Sequence, residues 1–232
     1  MLRRLLILAA AALCLCGCGA GNIHSEKSIK EYETDYSSVH AEVIQFSGMP
    51  DAEFESSLNV GIQETVESEL VAFDSKAMES SDNVRMGNKC VLEISWDEEY
   101  CKNDFLSIVE EKYIYTGGAH GSSMRVPKNI DVLGAKEVTL KDLFADEGYV
   151  NTLNRMINEL MEQNSEEYND LWSKPEIQES HQTDFYIDDD KLVIFFQPYE
   201  LSYYARGFVE FPLSLDELSG YLKEEYRKLA VE

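Results

Sequence analysis

The sequence contains few basic residues. Lysine and arginine number 20 against 44 aspartates and glutamates, which gives a formal net charge of −24. A surface this negative argues against binding to nucleic acid and against electrostatic binding to an anionic membrane. It is compatible with a cationic partner, although acidity can also serve solubility alone. The acidic residues are spread along the chain rather than collected in a tail, which favours solubility.

Histidine and cysteine, the most frequent ligands of zinc, are also scarce. The four histidines are widely separated, and three of the five cysteines lie within the first 18 residues. Because zinc sites need three or four ligands held close together, we expect no metal centre. The sequence also lacks Gly-x-Ser-x-Gly, P-loop and Gly-x-Gly-x-x-Gly motifs, so we expect no catalytic residues and no cofactor.

Long apolar runs are absent apart from Leu5–Leu15, which is too short to span a bilayer. This run follows two arginines and ends in Leu15-Cys16-Gly17-Cys18, the aliphatic, small, small, Cys order of a bacterial lipoprotein signal. We therefore predict that residues 1–17 are a signal peptide and that Cys18 is lipidated. The protein would then be anchored to a bacterial membrane outside the cytoplasm, with an uncleaved anchor as the alternative. Loss of the signal removes two positive charges from −24 and leaves −26.

The remaining chain is predicted to be an α+β protein. Residues 18–27 are small and polar, which indicates a lipidated tether. Beyond them, apolar periodicity predicts antiparallel sheet hairpins covered by three main helices. We expect two interlocked subdomains, residues 28–122 and residues 123–232.

Three segments have the apolar periodicity of a helix. The first is expected to begin at Asp51 and to end near Phe73, where a polar loop follows. The second has its apolar positions within residues 150–161 and is expected to end near Asn164. The capping box Ser214-Leu215-Asp216-Glu217 predicts a final helix that continues to Leu229. Residues 168–172 suggest a shorter helical turn.

Alternating or continuous apolar segments predict the strands. They lie within residues 29–46, which form two short strands, and at residues 91–100, 105–115, 124–132, 185–187, 191–197 and 207–211. Cys90 and Cys101 fall near opposite ends of one strand, about 35 Å apart at ~3.3 Å per residue. A disulfide joins Cα atoms only ~6 Å apart, so we predict two free thiols. A disulfide is the alternative if that strand ends at Trp96.

Two short segments between strands contain side chains that can bind ligands. In Thr116–Gly121, Gly117 and Gly118 allow a sharp turn, and His120 has the chemistry of a ligand or base. With no second histidine nearby, a structural turn is favoured. Asp188–Asp190 resembles a calcium loop only superficially, because it lacks the twelve-residue ligand spacing. A solvated hairpin tip is favoured there.

The segment Gln197–Gly207 is rich in aromatic residues. Its candidate binding residues are Tyr199, Tyr203, Tyr204 and Arg206, a composition enriched in recognition surfaces. Packing of these tyrosines onto the core is the alternative.

Several segments, taken in order, resemble the RsiV/PdaC-type extracellular domain family. They are Tyr115–Gly121, Thr139–Phe144, Phe185–Ile187, Pro198–Glu200, Gly207 and Pro212, and the resemblance covers about residues 28–232. The family is built from two domains of unknown function in tandem. Such domains occur in the lysozyme-sensing ectodomain of the anti-sigma-V factor and beside the catalytic domain of a peptidoglycan deacetylase. We expect this protein to have neither the cytoplasmic segment and membrane span of the former nor the metal-binding Asp and His pair of the latter.

The resemblance and the charge together predict a function. We expect a non-enzymatic, surface-tethered lipoprotein that binds a cell-wall component or a basic wall-active protein such as lysozyme. The alternatives are a peptidoglycan-modifying enzyme or its accessory subunit, and a structural envelope protein with no soluble ligand.

Overall fold

The structure is a computed structural model that describes residues 7–18, 21–80 and 89–230. It contains two compact units, each assembled from two stretches of chain. The first unit consists of Met1–Asp97 and Glu110–Arg125, and the second of Glu98–Val109 and Val126–Glu232.

Mixed α and β elements make up both units. The strands are β1 (Ile7–Cys18), β2 (Gly21–Glu33), β3 (Ser37–Ser47), β4 (Cys90–Lys102), β5 (Phe105–Tyr115), β6 (Ser122–Asp131), β7 (Lys136–Glu137), β8 (Phe185–Asp188), β9 (Lys191–Phe196) and β10 (Val209–Ser214). The α-helices are α1 (Ala52–Glu79), α2 (Leu140–Leu143), α3 (Tyr149–Gln163) and α4 (Leu215–Leu218), and 3-10 helices cover Glu179–His181, Tyr204–Arg206 and Glu224–Ala230. Strands β1 to β7 follow one another in a seven-stranded sheet, and a second sheet has the order β10-β9-β8.

The boundary between the units differs from the predicted division after residue 122. The tip of the β4–β5 hairpin belongs to the second unit, because Tyr100 and Phe105 are buried in that unit's apolar core. The hairpin turns through Asn103 and Asp104, which both have positive φ angles. This two-residue turn lies between the strands predicted at residues 91–100 and 105–115 and is typical of hairpins with the usual strand twist.

The predicted tether of residues 18–27 is wrong in its length. Strand β2 begins at Gly21 and pairs with β3 from His24 to Glu33. Ile23 and Ser25 are buried, so these residues belong to the folded sheet. The start of this strand is difficult to recognise in the sequence, because the segment is polar overall and only alternate residues face the interior. Strand β1 pairs with β2 and contains residues 7–17 of the predicted signal peptide together with Cys18, and residues 1–6 and 19–20 lie outside the described residues.

The predicted all-antiparallel pairing is also incorrect at one position. Strands β3 and β4 are parallel, with Ser37 opposite Cys90 and Ala41 opposite Ile94. The long helix α1 lies between them in the chain, and a parallel pair needs a crossover of this kind.

Helix α1 confirms the predicted start and extends the predicted end. The Asp51 side chain accepts hydrogen bonds from the backbone N–H groups of Glu53 and Phe54, so it caps the helix. The helix continues beyond Phe73 to Glu79, because Ala77 extends its buried face. It packs on β3, where the Asn59 amide bonds both backbone groups of Phe46.

The predicted final helix is replaced by shorter elements. Ser214 caps α4 by accepting from the Glu217 N–H, as the capping box implies, but the helix ends at Leu218. The Tyr221 carbonyl accepts from the Ala145 N–H, and the Lys223 N–H donates to the Leu143 carbonyl. These bonds engage backbone groups that a continuous helix would use, and the chain resumes only as the 3-10 helix Glu224–Ala230. The helical turn predicted at residues 168–172 is likewise a series of turns rather than a helix.

A buried polar network joins strands within the second unit. The Asn129 amide donates to the Phe185 carbonyl at 2.7 Å, and its oxygen lies 2.6 Å from Ser107 Oγ. Ser107 Oγ also accepts from the Ile187 N–H at 3.0 Å. Because all these groups are paired away from water, the network fixes β8 against β5 and β6.

Candidate functional site

The candidate site is a group of exposed aromatic side chains on the second unit. Trp172, Tyr199 and Tyr203 are 57 %, 55 % and 51 % exposed, and Tyr204 is half-buried. We call these four residues the aromatic patch. Since the core takes up most aromatic side chains of this unit, exposed rings in two neighbouring loop segments mark a surface suited to binding.

The loop that follows β9 forms most of the patch. The Glu200 N–H donates to the Gln197 carbonyl, which closes a turn, and Tyr199 lies inside this turn with φ 75°. A bulky residue at positive φ is a genuine conformational outlier, and such strain costs about 1–3 kcal/mol. The 3-10 helix Tyr204–Arg206 follows, and Gly207, also at positive φ, ends it before β10.

Two of the three tyrosines predicted as binding residues are in direct contact. The rings of Tyr199 and Tyr204 have centroids 5.6 Å apart and planes tilted by 34°. Tyr203 is in the same loop, with its side chain turned to solvent and ordinary extended backbone angles.

Trp172 was missed as a site residue by the sequence analysis. Its backbone N–H donates to the Leu201 carbonyl at 2.9 Å, and its indole N–H donates to the Glu200 carbonyl at 3.3 Å. Ser202 Oγ supports the same junction by donating to the Asp170 carbonyl at 3.1 Å. The available signal was that Trp172 is one of only two tryptophans and stands in a polar segment.

Arg206 joins the same two segments. Its guanidinium donates to the Glu167 carbonyl at 3.0 Å and lies 3.5 Å from Asp170 Oδ1. The side chain is 28 % exposed. This geometry makes Arg206 a support of the patch and leaves it partly accessible from solvent.

The buried side chain of His181 faces Glu200 in the loop that follows β9. His181 contacts the Phe196 ring at 5.0 Å, and its Nδ1 accepts from the Gln178 N–H at 2.9 Å. Its Nε2 lies 3.7 Å from Glu200 Oε1. Burial raises the pKa of the nearby Asp184 carboxyl, an effect that the proximity of His181 opposes.

The glycine-rich segment forms the loop between β5 and β6. Gly117 and Gly118 have φ angles of 110° and 97°, so the turn requires the conformational freedom of glycine. His120 Nδ1 donates to the Gly121 carbonyl at 2.7 Å, and Tyr115 donates to the Gly118 carbonyl at 3.1 Å. These local bonds are typical of a structural turn. Within residues 7–18, 21–80 and 89–230, no group of three His, Cys, Asp or Glu side chains is arranged to hold a metal.

The cysteines and the hairpin tip agree with the predicted geometry. Cys90 and Cys101 are both in β4, and both are free thiols. Burial raises the pKa of the Cys90 thiol. The Asp188–Asp190 tip is exposed, and Lys102 and Lys191 pair with Asp189 and Asp190. Cys18 is the last residue of β1, and its side chain lies outside what the structure describes.

Two family models match the chain in tandem. The PdaC model, described as deacetylase PdaC, matches residues 30–123, which fall largely in the first unit. The DUF3298 model, described as a protein of unknown function, matches residues 141–216 in the second unit, where the aromatic patch lies. The fold and the site therefore belong to a protein with a PdaC-type domain followed by a DUF3298 domain.

The chain is similar to the anti-sigma-V factor RsiV of Bacillus subtilis over most of its length. The two are 31 % identical over 209 residues, which cover 85 % of this chain and 69 % of RsiV. The chain belongs to the RsiV/PdaC-type domain family, which confirms the resemblance seen in the sequence.

Solved structures share this fold. A DUF3298 family member from Bacteroides fragilis superposes with a TM-score of 0.68 at 16 % identity, covering 100 % of this chain and 98 % of the other. A second, from Pseudomonas aeruginosa, gives 0.59 at 14 % identity and covers 96 % of each chain. At such identities the likeness establishes the α+β fold alone. No helix among the described residues has the length and apolar character needed to cross a membrane.

Proposed function

We propose that this protein is an extracytoplasmic lipoprotein that binds a basic, wall-active protein through the aromatic patch and catalyses no reaction. Lysozyme is the first candidate ligand. Family membership supports a sensing or binding role, since the resemblance to RsiV implies a lysozyme-sensing extracellular domain.

The conformation of Tyr199 is the observation that carries this proposal. Its backbone is strained at φ 75°, yet its side chain is 55 % exposed and fills no core position. Strain of this kind persists when the surrounding structure enforces it, and it concentrates at functional sites. A strained residue that presents a ring to solvent is best explained by a ligand that uses the ring.

Charge around the patch favours a cationic ligand. The exposed residues Glu167 and Glu200 belong to the two segments that form the patch. A lysine or arginine of the ligand would make cation–π contacts with the tyrosine and tryptophan faces, within the negative field of these two carboxylates. The mature charge of −26 would speed the encounter by electrostatic steering.

The lipoprotein signal supports attachment to a membrane. Cleavage before Cys18 would remove all of β1 except its last residue, and β2 would become the outermost strand. Strand β2 begins at Gly21, so the lipidated Cys18 would lie three residues from the folded sheet. Three extended residues span about 10 Å, which would hold the first unit close to the bilayer.

Binding to immobilised lysozyme at several salt concentrations tests the proposal. We expect the affinity of the mature protein to fall between low and high salt, because salt screens charges over ~8 Å at physiological strength. Tyr203→Ala should lower it further, whereas Tyr221→Ala, which removes an exposed tyrosine outside the patch, should not. Succinylated lysozyme, which has lost its positive charge, should bind poorly.

A second arm with purified peptidoglycan separates the alternatives. If peptidoglycan binds and lysozyme does not bind even at low salt, the ligand is the wall polymer and our proposal is wrong. If Tyr203→Ala and Tyr221→Ala bind lysozyme equally well, the aromatic patch is not the binding surface.

A further inference from the structure

All three oxygen atoms of Glu200 contact residues in or beside the loop that carries the aromatic patch. Its backbone oxygen accepts from the Trp172 indole, and its Oε2 accepts from the Gln197 N–H at 2.5 Å. Its Oε1 faces His181 Nε2 at 3.7 Å, an electrostatic contact longer than a hydrogen bond. The side chain therefore closes the Gln197–Glu200 turn that contains Tyr199.

His181 is held so that only one edge of its ring faces Glu200. Phe196 packs against the ring, and Nδ1 is occupied as the acceptor of the Gln178 N–H. In the neutral ring the proton must then be on Nε2, the atom that faces the carboxylate. The Asp184 carboxyl also lies near the ring, since His181 opposes the rise in the pKa of Asp184 that burial causes. The imidazole thus presents a fixed N–H dipole to Glu200 from the interior.

We propose that Glu200 is a positioning residue of the aromatic patch and that His181 orients it. The carboxylate stabilises the tight turn that keeps Tyr199 at positive φ, and the same turn places the Glu200 carbonyl where the Trp172 indole reaches it. Glu200 acts through these two rings rather than by contacting a ligand. The positioning itself is independent of any ligand, whereas its effect on binding rests on the function proposed above.

The ligand-free protein provides the first test. The chain has two tryptophans, so its ¹H–¹⁵N spectrum contains two indole N–H signals, and Trp172→Phe identifies the one from Trp172. Glu200→Ala should shift that signal and increase its temperature dependence, as expected when its hydrogen bond is lost. Glu200→Gln keeps an oxygen acceptor for the Gln197 N–H but turns its amide N–H groups toward His181 Nε2, so it should shift the signal less than Glu200→Ala. An unaltered Trp172 signal in Glu200→Ala would overturn the proposal.

Two substitutions of His181 distinguish the roles of its two ring nitrogen atoms. Glutamine can place its amide N–H near the position of Nε2, whereas asparagine can replace only the Nδ1 acceptor for Gln178. We expect His181→Gln to retain the Trp172 signal and His181→Asn to shift it, with a loss of melting temperature in both because neither side chain refills the space of the ring against Phe196. The reverse pattern would show that His181 supports the Gln178 turn alone and would refute its orienting role.

Lysozyme affinity provides the second test. We expect Glu200→Ala to weaken binding about tenfold and Glu200→Gln less than threefold, with melting temperatures close to that of the unchanged protein. If both variants weaken binding equally, Glu200 is a charged contact of the ligand and the positioning role is wrong. If the unchanged protein does not bind lysozyme, the function proposed above fails, while the indole signals still decide whether Glu200 positions the patch.

Discussion

Gly121 lies against the ring of Tyr113, so that a Cβ atom added to Gly121 would be 2.4 Å from the ring Cζ. Both residues border the loop between β5 and β6. We expect Gly121→Ala to destabilise the first unit by about 1–3 kcal/mol, because the ring must move out of a packed position. Urea unfolding followed by the fluorescence of buried Trp96, in a Trp172→Phe background, measures this cost.

Gly61 is the matched control for this steric effect. A Cβ added there meets no atom within 4 Å, and the residue is inside α1. Gly61→Ala should therefore stabilise the unit by about 0.5–1 kcal/mol. Removal of the ring by Tyr113→Ala should abolish most of the additional cost of Gly121→Ala, and a cost that persists would mean that the ring is not its cause.

Gly118 tests backbone strain without a steric clash. Its φ angle is 97°, and no atom lies within 4 Å of an added Cβ. We expect Gly118→Val to lower the free energy of unfolding by about 1–3 kcal/mol. Ala119→Val adds the same side chain at the next exposed position without a positive φ angle and should cost much less. Equal melting temperatures for the two variants would contradict the assigned backbone conformation.

Tyr199→Gly should separate stability from binding. Glycine adopts positive φ without strain, so we expect the second unit to gain about 1 kcal/mol in its free energy of unfolding. Lysozyme affinity should fall at least tenfold, because the ring is lost. Tyr203 is equally exposed but has φ −68°, so Tyr203→Gly should weaken binding and also lower stability. A loss of stability in Tyr199→Gly as large as that in Tyr203→Gly would argue against stored strain.

The two cysteines of β4 should react as free thiols at different rates. Thiol titration of the mature protein under denaturing, non-reducing conditions should count two groups. In the native protein, Cys101 should react first, because Cys90 is buried and burial raises the pKa of its thiol. Cys101→Ser should leave only the slow reaction, and a count near zero in monomeric protein would mean that a disulfide forms.

Cys18→Ser should release the protein from membranes. The basis is the Leu15–Cys18 lipoprotein signal, in which the thiol is the site of lipidation. Labelling with a radioactive fatty acid should mark the unchanged protein and not the variant, with Cys101→Ser as the control that retains its label. Because a single acyl chain binds a bilayer only marginally, stable anchoring implies more than one chain. Equal labelling of the Cys18 variant would disprove the assignment.

The candidate site was only partly predictable from the sequence. The concentration of tyrosines at residues 199–204 was visible, because exposed aromatic residues in a loop form a local pattern. The sequence did not show that Trp172 belongs to the aromatic patch or that the backbone of Tyr199 is strained. Trp172 and Glu200 are joined by a hydrogen bond across 28 residues of chain, and a φ angle is enforced by neighbours rather than by composition.

The sequence by itself determined the elements whose signals are local. Helix α1 follows from its apolar spacing and the Asp51 cap, and the β4–β5 and β8–β9 hairpins follow from polar turns between apolar segments. Tertiary structure decided the rest. Backbone pairing of residues 221–223 with residues 143–145 ended a helix that periodicity favours, and the α1 crossover made β3 and β4 parallel. The physical reason is that propensity and periodicity act within a few residues, whereas strand partners and buried hydrogen bonds are chosen by the packing of the whole unit.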